Sequence, residues 1–246
     1  MKLILLGTTG YHPNDTRQTA CFMLPELGVV LDAGTGFYRV RQFLRTRELD
    51  IYLTHAHLDH VVGITYLFDV LRDKAMDRVT VHGEAAKLAA IETHLLAESL
   101  FPAKPPCEFR PLGTSESLPL GGKLSYFPLE HPGGAVGYRL DWPGHSLAYV
   151  TDTTAAANSS YLSAIRGVDV LLHECYFPDS MLELAEMTGH SIATPVAQLA
   201  SSANVGRLIL VHVSPASEVS AKKILQDAER AFPSVELGHD LMEVEF

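Results

Sequence analysis

The feature that most constrains this chain is the run Thr54-His55-Ala56-His57-Leu58-Asp59-His60, which sets three imidazoles and a carboxylate directly behind the apolar stretch Ile51-Tyr52-Leu53. A β-strand ending in such a run cannot bury these groups in hydrocarbon, because an unpartnered imidazole or carboxylate is expensive to remove from water. Divalent metal ions satisfy them. Alternate residues leaving a strand end point to opposite sides, so His55 and His57 are expected to share one ion while Asp59 and His60 turn to a second. The nitrogen and oxygen donors suit zinc best, and iron or manganese are compatible.

Four adjacent donors cannot saturate two ions, so further ligands are expected at other strand ends. His131 follows Tyr126-Phe127-Pro128-Leu129-Glu130, Asp152 follows Leu147-Ala148-Tyr149-Val150-Thr151, and His212 follows Leu208-Ile209-Leu210-Val211. Each is a polar donor placed where an apolar strand stops. That shared placement points to one site assembled at strand ends.

Strand signals fall at 2–6, 19–24, 27–32, 124–129, 135–141 and 146–151, and shorter ones at 50–53, 78–82, 168–173 and 207–212 alternate with helices. Helical periodicity appears at 36–45, 61–73, 84–98, 190–203 and 217–231, as in Ala221, Ile224, Leu225, Ala228 and Phe232. Strand-rich stretches followed by βα units occur twice. The pattern predicts an α+β fold, a four-layer αββα sandwich forming a single domain over 1–246. The Pro-rich segment 102–111 reads as a surface loop.

With 246 residues, 47% of them hydrophobic, the chain can bury a large core. Its net charge of −10 opposes non-specific binding to a polyanion. Two divalent ions would concentrate positive charge at one point, enough to draw in a phosphate. The 3 cysteines, Cys21, Cys107 and Cys175, are odd in number and lack Cys-x-x-Cys spacing, which fits a reducing cytoplasm. The opening Met1-Lys2-Leu3-Ile4-Leu5-Leu6 is too short for a secretory leader and reads as a strand, and no stretch is long enough for a membrane span.

The order His-x-His-x-Asp-His, then His131, Asp152 and His212, resembles the dinuclear metallo-β-lactamase superfamily, and within it ribonuclease Z, the endonuclease that trims the 3′ end of precursor tRNA. Gly7-Thr8-Thr9-Gly10, Arg17 and Asp32-Ala33-Gly34-Thr35-Gly36 are similar to that family's opening. His131 with Gly137-Tyr138-Arg139 resembles its third motif, His173-Glu174-Cys175-Tyr176-Phe177 its His-Glu-Ala-Thr-Phe stretch, and Gly189-His190-Ser191 its His-Ser-Thr element. The likeness runs along nearly the whole chain.

The resemblance implies that His55, His57 and His131 hold one ion, that Asp59, His60 and His212 hold the other, and that Asp152 bridges them. A water shared by the two ions would be ionised to a hydroxide that attacks a phosphodiester. Asp59 would accept a proton, His190 would protonate the leaving oxygen and Glu174 would orient His190. His190 can equally be read as a residue at the start of the helix over 190–203, where capping is common. The resemblance places His173 behind these groups and implies a homodimer built on helices beside the site. His12, His82, His94, His145 and His239 are expected to be surface or structural, with His12 and His239 near the rim.

Ribonuclease Z carries a long Gly- and Pro-rich arm between its third motif and the bridging Asp. Here only Asp141-Trp142-Pro143-Gly144-His145 joins the two strands, which leaves no room for it. A hydrolase of small or cyclic phosphodiesters therefore stands beside the RNA-processing reading. A thioester or lactone hydrolase is disfavoured by Glu174 and His190, and a non-catalytic metal-binding protein by the completeness of the ligand set.

Overall fold

The structure is a computed structural model that describes residues 1–216 and 218–246. Its backbone divides into two compact units, Met1–Gly113 with His239–Glu245, and Thr114–Gly238 with Phe246.

The first unit contains β1 (Lys2–Gly7), β2 (Cys21–Leu24), β3 (Val29–Leu31), β4 (Glu48–Tyr52), β5 (Arg78–Gly83) and β6 (Glu108–Pro111). The chain runs antiparallel from β1 through β2 to β3, then turns parallel from β3 through β4 and β5 to β6. Parallel neighbours need crossovers, and these are the helical segments after β3, β4 and β5. Their apolar residues Phe37, Val40, Ile64, Leu67, Leu88 and Ile91 close over Ile4, Met23, Val30, Ile51 and Val81. Each fully buried side chain of this size contributes roughly 1.5–3 kcal/mol. The alternating residues Leu3, Leu5, Phe22 and Leu31 are also buried, which is why these strands read as continuous apolar runs.

Expectations change here for two helices and for the Pro-rich segment. The helix over 61–73 is three short pieces, α Leu58–Val61, 3₁₀ Val62–Tyr66 and α Leu67–Val70. The Gly63 amide donates to the Ala33 carbonyl at 2.7 Å rather than within the helix, so the turn breaks there. The helix over 84–98 is Ala85–Ala90 followed by a π turn, Ile91–Leu95. The Pro-rich segment is irregular only to residue 107; beyond it β6 pairs with β5, and Pro111 sits at the end of an edge strand where its missing N–H is tolerated.

The second unit contains β7 (Glu116–Leu118), β8 (Gly122–Leu129), β9 (Ala135–Trp142), β10 (His145–Val150), β11 (Val170–Glu174), β12 (Arg207–Val211) and β13 (Val235–Leu237). The last strand, β14 (Met242–Glu245), returns to the first sheet and pairs antiparallel with β1. The two sheets, β14-β1-β2-β3-β4-β5-β6 and β7-β8-β9-β10-β11-β12-β13, therefore share one pattern of three antiparallel pairs followed by three parallel ones. Helices Ala193–Ser202 and Glu218–Glu229 carry Val196, Leu199, Ala200, Ile224 and Ala228 into a core with Ala148, Val150, Leu171, Leu208 and Leu210. β9 and β10 meet in a tight hairpin, Trp142 opposite His145, with Gly144 at φ +82°.

The helix expected over 190–203 begins only at Ala193, with Ile192 at its N-cap, so His190 lies in the loop before it. The helix over 217–231 is seen as Glu218–Glu229, and its expected first residue, Ser217, lies outside the described residues. A short helix, Leu182–Thr188, was not expected. Among the described residues no helix is long and apolar enough to cross a membrane.

Candidate metal centre

In each sheet the strand order changes from antiparallel to parallel at one point, and polar residues gather where strands end beside it. In sheets that contain parallel strands, ligands bind outside the carboxyl ends at such a switch. Asp32 follows β3 as Asp152 follows β10, the equivalent strand of the other sheet. Thr54–His60 follow β4, Glu174 ends β11, and His212 follows β12.

In the first unit the donors are His55, His57, Asp59 and His60. The His55 ring lies 4.5 Å from that of His57 and 4.2 Å from that of His60. The His60 Nε2 faces the Asp59 Oδ2 at 3.4 Å, beyond ordinary hydrogen-bond length. Asp32, fully buried, organises this loop. Its carboxylate accepts from the Thr54 amide at 2.8 Å and the Thr54 hydroxyl at 2.8 Å, and His60 Nδ1 donates to it at 2.8 Å. With its hydroxyl proton given to Asp32, Thr54 accepts from His55 Nδ1 at 3.0 Å. Both imidazoles therefore carry their proton on Nδ1 and present a lone pair on Nε2, as metal-binding histidines require. Asp59 receives the Tyr11 amide on Oδ2 at 2.7 Å. Close approach of the loop depends on Gly34, where a Cβ would stand 2.2 Å from the Asp59 carbonyl oxygen.

In the second unit Asp152 is central. One carboxylate oxygen lies 3.5 Å from His131 Nε2, and the other lies 3.3 Å from His212 Nε2. These separations exceed a good N–H···O bond, and each oxygen belongs to a different imidazole. The His131 Nδ1 donates to the Gly189 carbonyl at 3.2 Å, which leaves Nε2 as its donor atom. Asp152, His190 and His212 each place one donor atom within 4.8 Å of the others. Imidazole nitrogens and carboxylate oxygens in this arrangement suit a divalent metal ion.

His190 is held from two sides. Its Nδ1 lies 3.2 Å from Glu174 Oε1, and its ring stacks on Tyr176 at 4.6 Å between centroids. Glu174, fully buried, also accepts the backbone amides of Thr153 at 3.1 Å, Ser191 at 3.0 Å and Tyr176 at 3.1 Å. The Ser191 hydroxyl donates to the Thr153 carbonyl at 2.7 Å, tying the loop of Asp152 to that of His190. His190 is therefore no helix cap. Burial lowers the pKa of His173, which as a neutral ring donates from Nδ1 to the Glu174 carbonyl and accepts from the Tyr161 hydroxyl.

Of the five remaining histidines, His94 is exposed and His145 half-buried. His82 is buried, bonded to Asp50 at 2.8 Å and stacked on Tyr52. His239 is exposed, while exposed His12 adjoins Tyr11, whose amide reaches Asp59. The sequence did not single out Asp32, Thr54 or Tyr176 for the site. For Asp32 the signal was present, since it closes the apolar strand Val29-Val30-Leu31 as Asp152 closes its own.

The family model described as "Beta-lactamase superfamily domain" matches residues 28–213. The chain is 28% identical to "Ribonuclease BN" of Citrobacter koseri, over 98% of this chain and 98% of that protein. It is 26% identical to "Ribonuclease Z" of Methanosarcina acetivorans, over 100% of this chain and 98% of the relative. The first alignment runs over 307 positions, more than this chain's 246 residues, so that relative carries inserted segments. Among solved structures, a metallo-beta-lactamase fold protein from Bacillus subtilis superposes with a TM-score of 0.82 at 18% identity, covering 99% of both chains.

Proposed function

This chain belongs to the beta-lactamase superfamily as a ribonuclease Z-like, metal-dependent hydrolase, and from that premise we propose that it cleaves phosphodiester bonds with the aid of two divalent metal ions. The fold is the α+β sandwich of metallo-β-lactamases. The observation that carries the reading is Asp152, whose two carboxylate oxygens face two different imidazoles. As the family resemblance implies, His55, His57 and His131 would hold one ion, Asp59, His60 and His212 would hold the other, and Asp152 would serve both. In this assignment the chain works as a single domain. The donor chemistry favours zinc.

Bound divalent ions supply Lewis acidity and lower the pKa of water. The chain's own residues do the rest. Asp59 accepts a proton from the attacking water, aided by the Tyr11 amide that fixes one of its oxygens. His190, positioned by Glu174 and by the face of Tyr176, gives a proton to the leaving oxygen. A positioned acid of this kind is worth about 10²–10⁴ in rate.

RNA 3′-end processing is the reading favoured by relatives named as ribonucleases that match along their full length. A small or cyclic phosphodiester is the second reading, supported by the tight β9–β10 hairpin and by the net charge of −10. Three free cysteines support a cytoplasmic location. Exposed Leu58, Phe68 and Leu100 in the first unit support a homodimer. The test is turnover of bis(p-nitrophenyl) phosphate by wild type and Asp152→Ala, with metal content measured in parallel. Loss of both metal and turnover is expected; full retention overturns the assignment. Cleavage of a 3′-extended precursor tRNA against 2′,3′-cyclic nucleotides, at equal metal loading, separates the substrates.

A further inference from the structure

We propose that Tyr11 is a stacking platform beside the metal-ligand loop, and that it receives a planar aromatic group of the substrate, a nucleobase. The proposal rests on the phosphodiesterase reading and adds to it the part of the substrate that flanks the phosphate.

Three observations converge on this residue. Its φ of +63° lies in the left-handed region that side chains bearing a Cβ avoid. The residue is 76% exposed, so no core packing offsets the strain. Its amide donates to the Asp59 carboxylate at 2.7 Å, which places the residue directly against a proposed metal ligand. The hydrogen bond accounts for the backbone conformation but not for the side chain. Glycine would present the same amide without strain, and the ring is what glycine lacks. Strained residues of this kind persist where the surroundings over-determine them, and they cluster at ligand clamps.

The surroundings do hold the loop. Thr8 and Thr9 amides share the Gln18 carbonyl, and Asn14 accepts the Thr16 and Arg17 amides on its side chain. Arg17, buried, donates to the Thr8 hydroxyl, while the Gln18 amide is fixed by Asp240. The Tyr11 and His12 rings are T-shaped to one another, with centroids 5.3 Å apart. An aromatic face on so firmly tied a loop has little ordering entropy left to lose on binding. Stacking on such a face accepts any base, because every base has a π surface.

The test is calorimetric binding of adenosine 5′-monophosphate and of ribose 5-phosphate, which lacks the base, to wild type, Tyr11→Gly and Tyr11→Phe. Tyr11→Gly keeps the amide to Asp59 and relieves the backbone, so it is expected to fold. It should bind the nucleotide about 5- to 10-fold more weakly, the lower end of base–aromatic stacking, with ribose 5-phosphate affinity unchanged. Tyr11→Phe should bind both as wild type does. Equal loss for both ligands, no loss for either, or no binding of the nucleotide by wild type overturns the platform. Turnover of bis(p-nitrophenyl) phosphate by wild type is read separately. Absent turnover with base-dependent binding removes the functional reading alone, and turnover with base-independent binding removes the platform alone.

Discussion

Replacing Asp32 by Asn should weaken metal binding without touching a metal ligand. Three donors converge on the Asp32 carboxylate, the Thr54 amide, the Thr54 hydroxyl and His60 Nδ1, each with a contact at 2.8 Å. Asn offers one acceptor oxygen and an amide nitrogen that donates, so at least one buried donor meets another donor. Hydrogen bonds to charged groups are worth about 1.5–3 kcal/mol each, and a buried donor left unsatisfied costs about 1–3 kcal/mol. Part of this is offset because a neutral amide is easier to bury than a carboxylate. The net destabilisation is roughly 2–4 kcal/mol, or about 5–15 °C in Tm for a chain of this size. With its Nδ1 acceptor gone, His60 no longer holds its Nε2 lone pair in place, and loss of such an outer partner costs about 10–100-fold in metal affinity. Competition with a chelator, well below the lowered Tm, measures this. Asp32→Asn combined with His60→Ala should lose less metal affinity than the two single changes summed, because part of the first change acts through His60 and only the part relayed by Thr54 to His55 remains. Unchanged affinity in Asp32→Asn, or full additivity in the double variant, refutes the orienting role.

Three further outcomes follow from the same geometry. His190→Ala should keep its metal and lose about 10²–10⁴ in kcat; loss of metal instead would make His190 a ligand beside Asp152 and His212. Gly189→Ala should lower Tm, since φ is +73° and the new Cβ would stand 2.9 Å from Pro132 Cδ and 3.4 Å from His131 Nδ1; an unchanged Tm would show the loop to be slack. Burial opposes ionisation of Asp50, but hydrogen bonds from His82 and Arg78 outweigh it and draw its pKa down to about 2. A folded pKa below the unfolded one gives stability that is complete above the unfolded value and fades as pH falls from about 4 toward 2, worth up to about 2 kcal/mol. The gap between thermal melts of wild type and Asp50→Asn should narrow from pH 7 to pH 3, and a gap independent of pH would contradict this.

The proposed ligand histidines were legible because each stands at or just beyond the end of an apolar run, a signal carried by neighbours in the chain. His131, Asp152 and His212 share it, and all three close or follow strands as anticipated. Edge strands β7, β13 and β14 were invisible, since three or four residues are too few to display a period. The helix over 61–73 was misread as continuous because its apolar spacing survives the break at Gly63, whose hydrogen bond goes to a residue 30 positions away. Pro111 marked a loop by composition yet ends a strand, since an edge tolerates it.

The donor set and the strands that deliver it were determined by residue chemistry and short-range period, and both are local properties of the sequence. Which nitrogen each imidazole offers was decided only by tertiary structure. That choice depends on acceptors supplied by other segments, Asp32 for His60, Gly189 for His131 and Glu174 for His190, and no local pattern brings those partners within hydrogen-bond reach.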